Sequence, residues 1–464
     1  MQYLRALSAA MALIIVLSCG TTSITSTNAQ EALRESTWHG GDVDIGKLFD
    51  AVVDNVEKNF FDVAKLKQVE WSSRAAAVRP SVLAAPTLDD AVRQINALLA
   101  DLKTSHTALL TPDEYFYYIL LDMGLAGSEG VDFAAKRFWG TGPYYLGTGA
   151  FTHDVDGRHF IDGILEGSPA ERAGLRYGDE ILSVDGMPYS PIAAFRGKSG
   201  ITVELAIRRR RDETPERINV PVIPIRPTKA FSDATKASAR VIERDGHRIG
   251  YVHIWASHEA NSFREAIGSF RPDDAIRRSL RKGSMSGDAI AKAARDLPKQ
   301  LDFVVIDVRG RVGGNIAVAK QFLEVLDQER KNYWGMTRTL DRNSANAPAP
   351  TRVENPDFHG RSVLLINRHT RSAAELMAHG FKRSGFGPLV GSPTAGAVSS
   401  GSASIMPGDL LLYVARLGME FDGKPLEGTG VAPDHHIEHP LPYSAGADPV
   451  LDAALDLLVK STRP

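Results

Sequence analysis

The sequence predicts a multidomain α+β protein, and the prediction rests on changes of pattern along the chain. From about Gln30 to Gly124 apolar residues recur at helical spacing. Between about Lys136 and Pro227 short β-like runs alternate with glycine-rich turns, and after Pro227 strand-length apolar runs alternate with helical ones. At 464 residues and 43% hydrophobic composition, the chain is long enough for about three domains with real cores. The segments are therefore a leader at 1–29, a helical N-terminal region at 30–135, a small β domain at 136–227 and an α/β domain at 228–464.

The leader reads as an export signal: Arg5 supplies positive charge, Ala6 to Leu17 an apolar core too short to span a bilayer, and Thr27-Asn28-Ala29 a processing site. Cys19, the only cysteine, follows Val16-Leu17-Ser18 and resembles a bacterial lipoprotein cleavage box, with a bulky Leu17 as the departure. Two readings stay open: secretion after cleavage behind Ala29, or a lipid anchor on Cys19 as the chain's only membrane attachment. Either places the protein outside the cytoplasm, periplasmic, cell-envelope or secreted, and the lipoprotein-like box suits a bacterial protein. One cysteine excludes an internal disulfide.

Helices are expected over Ile45 to Val56 and Leu88 to Leu102, the second started by Pro86, Thr87 and Asp89. Ser105 and His106 fall just past the end of that second helix, where a loop can present them to a cleft. Most lone histidines are ordinary surface or satisfied residues, so His106 acquires meaning only from the rest of the chain.

In the β domain, Ser168-Pro169 reads as an N-cap and first helical residue, and Gly174 as the left-handed stop of a short helix. The stretch Ser-Pro-Ala-x-x-Ala-Gly-Leu-x-x-Gly-Asp-x-Ile-Leu from Ser168 to Leu182 closely resembles a PDZ domain. That resemblance implies a groove that takes an extended peptide as an added strand and holds its terminal carboxylate. Gly147, Thr148, Gly149 and Ala150 are the expected carboxylate loop; an ordinary tight turn is the alternative. Arg208 to Arg211 beside Asp212 and Glu213 reads as a solvated hairpin tip.

The α/β region offers strands at Ile249 to Trp255, Phe303 to Val308, Val363 to Asn367 and Pro388 to Gly391, with helices at Ala317 to Leu326 and Ala373 to Phe381. Asp273 to Pro298 is charged and helix-friendly, and Asn343 to Pro356 reads as an irregular crossing. Asp307-Val308-Arg309-Gly310-Arg311-Val312-Gly313-Gly314-Asn315 follows a strand and precedes a helix, so its paired glycines could bring backbone N–H groups close to a substrate or simply make a tight turn. Ser372 stands where an apolar run gives way to a helix, the place for a nucleophile facing unpaired N–H groups. Ser372 with Glu375 ahead of Leu376 and Met377 also fits a plain capping box.

Taken together, Ser105-His106-Thr107, the PDZ block, Asp-Val-Arg-Gly-x-x-Gly-Gly at 307–314, Ser-Ala-Ala-Glu at 372–375 and Glu-Gly-x-Gly-Val-x-Pro-Asp at 427–434 resemble the tail-specific, or C-terminal-processing, serine protease family. The resemblance implies a crotonase/ClpP-like catalytic domain, a nucleophile at Ser372, and an oxyanion hole from Gly313 or Gly314 with Ala373. Many members use a Ser-Lys dyad with the lysine in a Thr-x-Gly-Lys motif; this chain reads Thr394-Ala395-Gly396-Ala397. It is more similar to the tricorn-core branch, which implies His106 as general base, Ser105 orienting the imidazole and Glu427 completing the set. Arg311 departs from the asparagine common in the glycine motif.

The implied activity is that of an exported serine endopeptidase cutting peptides or proteins through an acyl-enzyme on Ser372, with the PDZ domain recognising substrate C-termini. The alternative is a non-catalytic peptide- or ligand-binding protein on the same fold, and a PDZ scaffold is a third reading. A net charge of -2 argues against nucleic acid as a partner. No dinucleotide fingerprint, phosphate loop or Gly-x-Ser-x-Gly elbow is present, so neither cofactor nor ordinary α/β-hydrolase chemistry is expected. No metal is expected either: His435-x-x-Glu438-His439 matches an inverted zinc-protease motif by letters but lies between Pro433 and Pro440 in an extended segment. Lys382 reads as an exposed lysine in a helix's last turn.

Overall fold

Asp44 accepts a hydrogen bond from Lys47 N–H at 3.0 Å and starts the helix Ile45–Asn59, whose Leu48, Phe49, Val52 and Val56 form one buried stripe. Thr87 caps Leu88–Ala100 in the same way, with Asp89 and Asp90 in the first turn. In this computed structural model, which describes residues 43–138, 140–258, 261–269, 301–310, 312–324, 326, 333–341, 345–346 and 361–460, both stripes pack on the far C-terminal strand Leu410–Phe421 through Leu410, Leu412 and Val414. The leader, the segment 273–298, the stretch 347–356 and Arg311 lie outside the described residues.

The N-terminal region contains one strand that helical periodicity did not anticipate. Ala108–Leu110 pairs antiparallel with Leu410–Phe421 in the register Ala108↔Tyr413, and Asn96 ties the preceding helix to it through both the N–H and the C=O of Leu109. The loop 105–107 is thereby pinned between a helix end and a strand. Tyr115–Asp122 follows as a helix buried almost all round, which explains why its sequence shows no polar face.

The middle of the chain forms an antiparallel sheet in the order Ala150–Val155, Arg158–Ile164, Glu180–Val184, Thr202–Arg208, Glu216–Pro221. Ser168 is an ordinary N-cap, at φ -77° and ψ 165°, for the short helix Pro169–Arg172. Arg208 to Arg211 do form a hairpin tip, where Arg209 pairs with Glu216 and Arg210 with Glu213. Ala150–Val155 is an edge strand; among the described residues it pairs on one side only.

The C-terminal half is built on the sheet Arg240–Arg244, His247–His253, Phe303–Asp307, Arg361–Ile366, Leu389–Gly391, His435–His436, parallel after its first pair. Its central strands Phe303–Asp307, Arg361–Ile366 and Leu389–Gly391 are mainly apolar because both faces are covered, one by the helices Ile316–Glu324 and Ala373–Ser384 and the other by Pro449–Lys460. The turns after Phe303–Asp307 and Arg361–Ile366 leave from the carboxyl ends of parallel strands, the usual place for a site in such a sheet.

Candidate functional site

Ser372 follows the strand Arg361–Ile366 by a short turn and precedes Ala373–Ser384, and its backbone is not that of a simple cap. It sits at φ 54°, ψ -126°, a region that L-residues avoid at a cost of about 1–3 kcal/mol, whereas the true cap Ser168 is extended. A strained strand-to-helix turn of this kind exposes a serine hydroxyl, so the geometry of a nucleophile elbow arises here without its glycine motif. The strain is held by surroundings: Ser372 N–H donates to the Ala397 carbonyl at 2.9 Å and to Glu375 Oε2 at 3.2 Å, the latter being the carboxylate half of the expected capping box.

Glu375 does more than sequence reasoning gave it. Fully buried, it accepts from Thr394 Oγ1 at 2.6 Å and from the N–H groups of Gly396 and Ala397, each at 2.7 Å. Burial pushes its pKa up against these donors. It fastens the Thr394–Ala397 loop beneath Ser372, and Ala397, which stands where dyad enzymes have lysine, contributes its carbonyl instead.

Ser105, His106 and Glu427 come together although Ser105 and Glu427 are 322 residues apart. Glu427 Oε1 accepts from Ser105 N–H at 2.6 Å, and Oε2 from Ser105 Oγ at 3.1 Å, Val398 N–H at 3.0 Å and Ser399 N–H at 2.8 Å. Burial raises the Glu427 pKa, but these donors outweigh it and the net shift is downward, so the group is a carboxylate at neutral pH. Because a carboxylate only accepts, Ser105 spends its proton on Glu427, and the 2.7 Å contact between Ser105 Oγ and His106 Nδ1 must run from Nδ1–H to Oγ. His106 Nε2 is then left with a lone pair, the form a general base requires. Burial, then the positive charge of Arg371, push the His106 pKa down to about 4, while Glu427 opposes them. The ring also leans on Tyr413 at 5.2 Å, and His106 has φ 59°.

His106, Ser372, Ala373 and Gly314 line one cavity of 50 Å³ whose other walls are mainly apolar, among them Leu376, Val398 and Met419. Gly313 packs directly against Ser372: a Cβ there, with φ 91°, would stand 2.7 Å from Ser372 Cβ. A Cβ at Gly314 would meet the Ser257 carbonyl at 2.5 Å, where a local parallel bridge runs from Ser257 N–H to Gly313 O and from Asn315 N–H back to Ser257 O. The turn can therefore come this close to Ser372 only with glycine at both positions.

Gly147, Thr148, Gly149 and Ala150 form the entry to the edge strand. Thr148 O accepts from Ala170 N–H and Gly149 O from Leu165 N–H, each at 2.9 Å, and Gly149 packs directly on Ser168. Tyr115 Oη donates to the Ala150 carbonyl at 3.3 Å and links this entry to the Tyr115–Asp122 helix.

Residues that sequence reasoning missed surround the set. Arg371 adjoins Ser372, faces the Phe116 ring at 5.6 Å and charges the environment of His106. Arg309 is buried against Asp307 and Asp448, at 2.6 Å and 2.7 Å, which fixes the start of the glycine turn. Only the Asp307 and Arg309 letters hinted at this; Asp448 and Arg371 carried no local signal. Lys382 stays away from the cavity, paired with Asp434 at 2.7 Å. The His435-x-x-Glu438-His439 segment is extended, with His436 bonded to Glu438 and His439 stacked on Tyr177 at 3.9 Å.

A fold with an edge-stranded PDZ sheet beside a parallel-sheet domain that ends in a strained serine defines a PDZ-bearing serine peptidase. Residues 248–437 match the model of peptidase family S41, and residues 160–196 match that of the PDZ domain. The chain is 26% identical over 388 residues to a carboxyl-terminal-processing protease of Picosynechococcus, covering 81% of this chain and 80% of that one. It is 26% identical over 415 residues to tricorn protease homolog 1 of Streptomyces coelicolor, covering 85% of this chain and 33% of that one. Among solved structures, the photosystem II D1 C-terminal processing protease is similar at 18% identity and a TM-score of 0.48, over 88% of this chain and 98% of that one.

Proposed function

We propose that this serine peptidase is an exported endopeptidase in which Ser372 is the nucleophile, His106 the general base, and Ser105 and Glu427 the groups that orient and stabilise it. The observation that carries the reading is the continuous relay from Glu427 through Ser105 to His106, ending in a ring that lines the same cavity as Ser372. Ser372 Oγ attacks the scissile carbonyl carbon as His106 Nε2 takes its proton; the imidazolium returns that proton to the departing amine, and water repeats the sequence on the acyl-enzyme. The N–H of Ala373, with that of Gly313 or Gly314, faces the developing oxyanion.

In the same proposal, the division into 30–135, 136–227 and 228–464 separates a helical region carrying the base, a PDZ domain and a catalytic domain. The free edge of Ala150–Val155 takes the substrate as an added strand, and the 147–150 entry receives its terminal carboxylate. The basic, apolar and small-residue succession at 1–29 supports export, with cleavage behind Ala29 or anchoring on Cys19.

Fluorophosphonate labelling followed by peptide mapping tests the assignment. The label should sit on Ser372, and Ser372→Ala or His106→Ala should each lower kcat on a peptide substrate by several orders of magnitude, non-additively. A label on another serine, or near-normal turnover in Ser372→Ala, would overturn it.

A further inference from the structure

Next to the small cavity at Ser372 lies a larger one of 490 Å³, with Phe116, Ile119 and Val312 on the walls of both. Three ligating side chains from separate segments reach the larger cavity: His153, Asp162 and His369. Their candidate ligand atoms all lie within 4.8 Å of one another. His369 Nε2 is 3.6 Å from Asp162 Oδ2, and the two imidazole rings meet edge to face at 5.3 Å.

The fold holds each of them in place. Between Ala150–Val155 and Arg158–Ile164 the register breaks at Phe151/Thr152, where Phe151 faces Gly163 and Thr152 faces Ile161. Asp162 is therefore the extra residue of a β-bulge, a device that re-aims a side chain. His369 is fixed by its N–H on Asn367 Oδ1 at 3.0 Å, in a turn that Thr370 Oγ1 fastens to the Val308 carbonyl at 2.9 Å. Arg368 Nε donates to His369 Nε2 at 3.1 Å, so that nitrogen carries a lone pair rather than a proton.

Two imidazoles and one carboxylate suit a borderline ion such as Zn²⁺ or Co²⁺, not the all-oxygen shells of Ca²⁺ and Mg²⁺. With metal–ligand bonds of about 2.0–2.2 Å, tetrahedral ligand atoms stand roughly 3.3–3.6 Å apart. The His369–Asp162 pair is already at that spacing, and the remaining gaps close by side-chain rotation. All three residues line the 490 Å³ cavity, which leaves room beside them for a fourth ligand. The opposing charges are Arg368 and Arg371; Arg368 is exposed and can swing away, which makes it a competitor for the His369 lone pair.

We propose that His153, Asp162 and His369 form a binding site for a zinc-class divalent ion, and that occupancy inhibits the peptidase by clamping the PDZ sheet to the turn that carries Ser372. The inhibitory half rests on Ser372 being the nucleophile; the binding half does not.

The test uses the full mature chain with Ser372→Ala, titrated with Co²⁺ and read by the visible absorption of low-symmetry cobalt, with Zn²⁺ competition for affinity. One site is expected. His369→Gln, His153→Gln or Asp162→Asn should weaken it by roughly 100-fold, and Arg368→Gln should tighten it several-fold, with far-UV circular dichroism showing each variant folded. Absence of a cobalt band, or a band abolished by His436→Ala and indifferent to His153→Gln and His369→Gln, overturns the site. In the active chain, Zn²⁺ should slow cleavage of a short ester, and His369→Gln should raise the inhibitory concentration by the same factor as its loss of affinity. Zinc bound at the site without slowing that ester overturns the inhibitory half. Activity retained by Ser372→Ala would instead refute the nucleophile assignment and leave the cobalt result standing.

Discussion

The acid limb of the pH profile is the most direct probe of the base. An unperturbed histidine titrates near 6.5, and a peptidase relying on one loses kcat/KM as pH falls through that value. In this fold, burial and Arg371 hold His106 down at about 4. The base is the neutral form, so activity persists until pH falls to the lowered value. At pH 5, a base of pKa about 4 is roughly 90% unprotonated, whereas one of 6.5 is only about 3% so, a difference of some 30-fold in kcat/KM. The assay is kcat/KM for a blocked, uncharged peptide ester between pH 3.5 and 8, with Asp162→Asn as a control because burial pushes that carboxyl up to about 6. Arg371→Met removes a positive charge facing the imidazole and should move the limb upward; Glu427→Gln removes the opposing carboxylate and should move it downward while lowering the plateau. A wild-type limb centred near 6.5 that Arg371→Met does not move would refute the claim that burial and Arg371 govern this base.

Other substitutions separate catalysis from stability. Gly313→Ala places a methyl group against Ser372 Cβ and should cost at least about 10²-fold in kcat, with thermal unfolding measured alongside to show the protein folded. Glu375→Gln turns an acceptor of four donors into one that presents its own N–H to them; urea unfolding should show a loss of about 1–3 kcal/mol, and activity should fall with it. Lys382→Ala removes a partly exposed pair with Asp434 and should leave kcat unchanged and stability within about 1 kcal/mol; a dead Lys382→Ala enzyme would point to a serine-lysine arrangement instead.

Periodicity and punctuation alone located most elements of this chain. The stripes of Ile45–Asn59 and Leu88–Ala100, the Ser168-Pro169 start and Gly174 stop, and the apolar runs of the parallel sheet are local signals, because each element's burial writes itself into spacing. Periodicity failed at Ala108–Leu110, where a strand is made by a partner some 300 residues away, while Tyr115–Asp122 is helical as its region predicts but is buried on nearly every side. Ser372 shows the same limit at the site. Its letters fit a capping box, and one is present, but the φ of 54° that separates it from Ser168 is held by Glu375, Ala397 and Gly313 converging from three segments. Likewise, the sequence supplied Ser105, His106 and Glu427 as types in order, but the proton positions follow from a carboxylate that meets them only after the strand Leu410–Phe421 has paired with Ala108–Leu110. Residue types and local conformation are encoded within a few residues of each position; strain, desolvation and the direction of a hydrogen bond depend on which distant groups arrive, and those the tertiary structure alone decided.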